Sequence, residues 1–130
     1  MKKQRRGYNP FRKVRHAANG LWFAVAHDFS VAYKVVVSGA TLALAVAYAD
    51  VVDVVVVLMA TGLVLMAEIF NTAIETMCDY FETGHDERIG TIKDLGAAAT
   101  GVCIVVWVVV IAWEIHRVLL ATVWLGAATG

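Results

Sequence analysis

The chain has 130 residues, enough for one domain, and 60% of them are hydrophobic. Its 11 basic and 11 acidic residues balance, and its mean hydropathy is +0.70. Soluble domains run at about 45–50% apolar residues, so a composition this apolar, gathered into blocks, excludes an ordinary soluble globule and predicts membrane spans.

Residues 1–20 hold seven of the eleven basic residues, and no acid precedes Asp28. Asn9-Pro10 reads as a helix start. From Phe11 onward Phe11, Val14, Ala18, Leu21, Trp22, Val25 and Phe29 recur at helical spacing, opposite Arg12, Arg15, His16, Asn19 and Asp28. This pattern predicts a basic amphipathic helix within residues 1–29, lying on a membrane surface. No uninterrupted apolar stretch follows the basic run closely, so a cleaved signal peptide is not expected. With the rest of the chain in the bilayer, the basic run is not read as a nucleic-acid site.

The first span is expected over residues 31–49, with Lys34 near one end, where its ammonium can snorkel to the interface. Asp50-Val51-Val52-Asp53 reads as a short acidic turn joining an antiparallel pair of helices. The second helical pattern covers residues 54–82, about 43 Å at about 1.5 Å per residue, against a hydrocarbon core of about 30 Å. Its C-terminal part must leave the lipid. Residues 83–92 form a polar loop, and a third membrane helix follows over residues 92–116. Trp107, Trp113 and Trp124 suit interfacial or near-interfacial anchors, Trp107 being the deepest candidate. Cys78 and Cys103 lack metal-ligand spacing and read as buried small hydrophobes. The N-terminal segment and the 83–93 loop hold nine of the eleven Lys and Arg, while the 50–53 turn holds none. The positive-inside rule therefore puts the N-terminus and the 83–93 loop in the cytoplasm of a multi-pass protein.

The most informative segment is the end of the second span. Glu68, Asn71, Glu75, Asp79 and Glu82 follow one another in steps of 3, 4, 4 and 3, sharing one helix face within roughly 80°. Carboxylates at membrane depth cost about 2.5 kcal/mol or more unless paired, hydrated or neutral. Asp79 and Glu82 suit a solvated helix face; Glu68 and Glu75, deeper, call for a cation, a proton or a polar substrate. Oxygen ligands without His or Cys favour a hard cation such as Mg2+. Lys93 and Asp94 open the third span, where Lys93 has Glu75 or a phosphate as possible partners. The run Gly96–Gly101 is small enough for a helix or a flat ligand to approach.

Such parts suit an apolar substrate from the bilayer meeting a charged one from water. A carboxylate at the boundary accepts a proton from a hydroxyl, one further out holds Mg2+ on polyphosphate oxygens, and a lysine neutralises the transferring phosphoryl group. No P-loop and no protein-kinase motif is present.

The segments AEIFNTAIE (Ala67–Glu75) and IKDLGAAA (Ile92–Ala99), 18 residues apart from Glu75 to Lys93, together with GLWFAVAHD (Gly20–Asp28), closely resemble the prokaryotic diacylglycerol kinase family, which includes the undecaprenol kinases of Gram-positive bacteria. The similarity runs from about Phe11 to Trp113. It implies an all-α integral membrane fold over residues 1–130: three transmembrane helices and an N-terminal amphipathic surface helix, in a homotrimer with active sites shared between subunits. It implies an ATP- and Mg2+-dependent kinase that phosphorylates a lipid alcohol in the bacterial cytoplasmic membrane.

By the same resemblance Glu68 matches the general base and Glu75 a metal-ligating glutamate. Asn71 supports the site, and Lys93 and Asp94 contact the nucleotide. Asp28 stands where the family usually has a second metal-ligating glutamate, one methylene longer. Ala32 stands where an arginine is frequent, and His16 where an aromatic often faces the nucleotide. His85 and Asp86 lie in the loop that touches the nucleotide, and Ala97 replaces a serine of some members.

NTAIE and GLWFA look more like the undecaprenol type, KDLGAAA more like the diacylglycerol type; the balance favours undecaprenol. Two other readings rest on composition alone. One is a small oligomeric proton or cation pathway relayed by Glu68 and Glu75; the other is a structural membrane protein assembled through its small residues.

Overall fold

The computed structural model describes residues 9–48, 50–81 and 86–128, with the backbone alone for 124–128. The basic residues before Asn9, and Glu82, His85 and the Trp124 side chain, lie outside the described residues. Four helices follow in order: α1 (Pro10–His27), α2 (Phe29–Tyr48), α3 (Val51–Phe81) and α4 (Glu87–Ala128). The described residues contain no strand, and α2, α3 and α4 are each long and apolar enough to cross a membrane.

Asn9 caps α1 by accepting a hydrogen bond from the Arg12 N–H at 3.2 Å, and Pro10 occupies the first helical position, where its missing N–H costs nothing. Ala24 is the one buried residue of α1; Phe11, Leu21 and Trp22 stand exposed. Such an unpartnered apolar face fits a helix lying in a membrane surface. The helix ends at His27 because Asp28 is extended, and α2 starts at the next residue.

The acidic turn is shorter than the sequence suggests. Asp50 accepts the Asp53 and Val54 N–H groups through its carbonyl, so Val51–Asp53 already form the first turn of α3. At 31 residues α3 is about 46 Å long, longer than the hydrocarbon is thick. The fourth helix also exceeds the predicted bounds, running 42 residues. No glycine or proline interrupts the stretch after Arg117, which is helix-compatible up to Trp124.

Helix α3 packs against both α2 and α4, and α1 packs against α2. Inward positions recur at helical steps: Val31, Lys34, Ser38, Thr41 and Ala45 on α2; Val57, Ala60, Val64 and Glu68 on α3; Thr100, Trp107, Ile111, Glu114 and Val118 on α4. Val57, Ala60, Val64, Trp107 and Ile111 form the core. Trp107 is therefore a core residue rather than an interfacial anchor, and its indole N–H donates to the Ser38 hydroxyl at 2.8 Å. Trp113 is exposed. Cys78 is buried and Cys103 half-buried, both as free thiols.

Candidate active site

The inward stripe of α2 carries a lysine, and that decides the chemistry beside it. Lys34 is fully buried and does not snorkel. Its Nζ donates to Glu68 Oε1 at 2.6 Å, to the Ser30 hydroxyl at 2.6 Å and to the Ser30 carbonyl at 3.2 Å, and it lies 4.4 Å from the Tyr33 ring centroid. The Ser30 hydroxyl in turn donates to Glu68 Oε1 at 2.9 Å. Glu68 is 6% exposed, and both bonds fall on one oxygen, leaving Oε2 outside the network. A buried carboxylate and a buried ammonium thus neutralise each other, as charges at membrane depth must. Glutamine at 68 would leave the Lys34 ammonium without its counter-charge, so Glu68→Gln alone is not a neutral change for folding.

Asp28 joins the same cluster. Its Oδ1 accepts the Ser30 N–H at 2.8 Å, capping α2, and its Oδ2 accepts the Thr72 hydroxyl of α3 at 3.3 Å. One residue therefore ends the surface helix, starts the first span and ties both to α3.

Further along α3 the row opens to water. The Asn71 Nδ2 donates to Glu75 Oε1 at 2.7 Å, orienting that exposed carboxylate. The Asn71 Oδ1 is buried without a donor against α4, where a Cβ on Gly96 would stand 2.6 Å from it. Gly96 is thus the residue that lets the Asn71 amide fit. The Thr100 hydroxyl, one turn later, donates to the Ala67 carbonyl at 3.3 Å. Lys93 pairs with Asp79 rather than with Glu75; the two side chains are 38% and 67% exposed. A pair so open to water is weakly held.

The remaining candidates are less convergent. Asp94 and Ala97 are exposed on α4. Asp86 caps α4, its Oδ1 accepting the Arg88 N–H at 2.8 Å. His16 is exposed on α1, about 18 Å along the helix from Asp28. One chain therefore gathers Asp28 and Glu68 at the α2–α3 boundary, sets Asn71 and Glu75 further along α3, with Asn71 against α4, and keeps His16 apart. Lys34, Ser30 and Thr72 are site-forming residues that the motif reading passed over, while Gly96 lies in the small-residue run expected to allow a close approach. The helical spacing of Ser30, Lys34, Ser38 and Thr41 was the available signal for the first two.

Among the described residues no three His, Cys, Asp or Glu side chains gather as a metal cage. Mg2+ does not demand one: one or two carboxylates plus substrate phosphates suffice. Glu75, exposed and oriented, fits that use. Asp28 fits through Oδ2, held only by the long Thr72 bond.

The family model for prokaryotic diacylglycerol kinase matches residues 15–115. That stretch contains every candidate site residue and stops just short of Arg117. No curated protein sequence matches the chain.

Proposed function

We propose, on the premise that the chain belongs to the prokaryotic diacylglycerol kinase family, that it transfers the γ-phosphoryl group of ATP to the hydroxyl of a membrane lipid alcohol. Membership makes it a lipid kinase; the nucleotide, the metal, the acceptor and the residue roles are the reading developed here. The observation that carries it is the continuity of the α3 row, from a buried, charge-balanced Glu68 to an exposed, oriented Glu75. Lipid substrate and aqueous nucleotide can meet along it.

In this reading Glu68 takes the proton of the lipid hydroxyl as its oxygen bonds to the γ-phosphorus and the bond to ADP breaks. Lys34 and Ser30 hold Glu68 through Oε1 and leave Oε2 for the proton. Lys93 leaves Asp79 to meet the phosphates, with Asp94 and the 85–86 segment beside the nucleotide. Glu75, with Asp28 Oδ2, would hold Mg2+, which neutralises charge on the polyphosphate. Asn71 keeps Glu75 in place, and Ala97 lies beside the Gly96 contact. The family resemblance implies a homotrimer, and sites completed between neighbouring subunits would bring His16 of one chain to the row of another. The basic N-terminal segment supports a cytoplasmic nucleotide side. Undecaprenol is the favoured acceptor over diacylglycerol on the NTAIE and GLWFA segments.

The direct test is to incubate the purified protein with labelled ATP, Mg2+, and diacylglycerol or undecaprenol. Label is expected in undecaprenol first; label in neither lipid overturns the kinase reading, and label in diacylglycerol alone overturns the acceptor. Asp28→Asn separates two roles of one residue. The amide still caps α2, so stability is expected to hold, while activity falls by about 10–100-fold through loss of the metal-side charge. Unchanged turnover would leave Asp28 a cap alone.

A further inference from the structure

A second polar cluster lies at the opposite end of the bundle, where α3 begins. Arg117 of α4 pairs with Asp53 in the first turn of α3, the two side chains being 40% and 13% exposed. One turn before Arg117, Glu114 is only 2% exposed, and its Oε1 is buried without a donor. Asp53 and Arg117 are the charged groups near enough to act on it. The cluster thus holds two carboxylates and one guanidinium, and the guanidinium is committed to Asp53. With Glu114 ionised, it would lack one positive charge.

Glu114 and Asp53 line a cavity of about 230 Å³ between α3 and α4, otherwise walled by residues that include Val56, Val57, Val110 and Trp113. A bare metal ion is a poor occupant: Ca2+ and Mg2+ take about six oxygen ligands, and beyond the two carboxylates the valine and tryptophan walls supply none. An ammonium on an apolar arm matches every wall. Its charge answers Glu114, its methylenes meet the valines, and the Trp113 ring offers a cation–π face. The cluster sits within one turn of the start of α3, near the depth of lipid headgroups rather than at the middle of the bilayer.

We propose that this cavity binds a primary organic ammonium group, with Glu114 as its counter-ion. Two sources share that chemistry, the headgroup of an aminophospholipid and a soluble alkylamine. The site stands independently of the kinase reading, because it uses none of the residues placed in phosphoryl transfer.

The test uses the full chain purified in mild detergent, with retained lipid counted by native mass spectrometry. Wild-type protein is expected to retain phosphatidylethanolamine several-fold over phosphatidylglycerol of the same acyl chains. A parallel arm adds n-butylammonium chloride and follows the unfolding midpoint, with sodium chloride as control. Preference for the lipid identifies a headgroup site; a raised midpoint without lipid preference identifies a soluble amine. Either supports the proposal, provided that Glu114→Gln abolishes the effect. Neither effect in wild-type protein, or an undiminished effect in Glu114→Gln, overturns it. If the glutamine variant fails to fold, Val110→Phe fills the cavity while keeping Glu114, and must abolish the same effect; binding that survives it overturns the proposal.

Discussion

Two stretches of α3, about two to three turns apart, hold their carboxylates in opposite ways. At Glu68 the carboxylate is enclosed, and Lys34 and Ser30 of α2 close a network on its Oε1. From Glu75 to Asp79 the carboxylates are exposed, and Lys93 is held by Asp79 alone in one ion pair open to water. Enclosure makes the first arrangement rigid and costly to break. Exposure makes the second exchangeable, which is what a charged substrate arriving from water requires. The difference is one of depth along a single helix that is longer than the bilayer is thick.

The strongest way to break that contrast is to replace the enclosed pair together. Glu68→Gln with Lys34→Met removes both charges, so the protein is expected to fold, while phosphoryl transfer falls by about 10²–10⁴-fold with the loss of a general base. Turnover near the wild-type level would show that Glu68 does not accept the proton. Lys34→Met alone leaves a buried carboxylate without its counter-charge. Denaturant unfolding in micelles should then show a loss of about 3–5 kcal/mol; an unmoved midpoint would mean that water already reaches Glu68.

Gly96→Ala probes the border between the two stretches. Its Cβ must displace the Asn71 amide, the movable end of a side chain. A fall in activity of about tenfold is expected from misplacing Glu75, with little change in the unfolding midpoint; a large loss of stability would locate the fault in α3–α4 packing instead. Asp79→Asn sharpens the exposed side with the smallest effect. It frees Lys93, so a modest fall in KM for ATP is expected with no shift in stability. A raised KM would show that Asp79 itself serves the nucleotide.

What could be read from the sequence was local. The three spans and the surface helix follow from hydropathy and period. The alignment of Glu68, Asn71 and Glu75 follows from steps of three and four along one helix. The Lys34–Glu68 pair joins positions 34 residues apart and depends on the register of α2 against α3, which no local pattern states. The same holds for Arg117 and Asp53, 64 residues apart. Trp107 misled for a related reason: an indole suits an interface unless a distant hydroxyl, here that of Ser38, lets it sit in the core. Asp28 illustrates a third limit. Compared with a longer glutamate it looks like a shortened ligand, whereas in the fold its shortness is what lets it cap α2.

That same residue makes α1 a lever. Eighteen residues of helix, about 27 Å of it, pivot on a single extended position whose side chain grips Ser30 and Thr72. Any tilt of α1 against α2 therefore arrives at a fulcrum one residue from Phe29 and two from the serine bonded to Glu68. The angle of α1 to the bundle and the posture of the Glu68 carboxylate are joined through one residue.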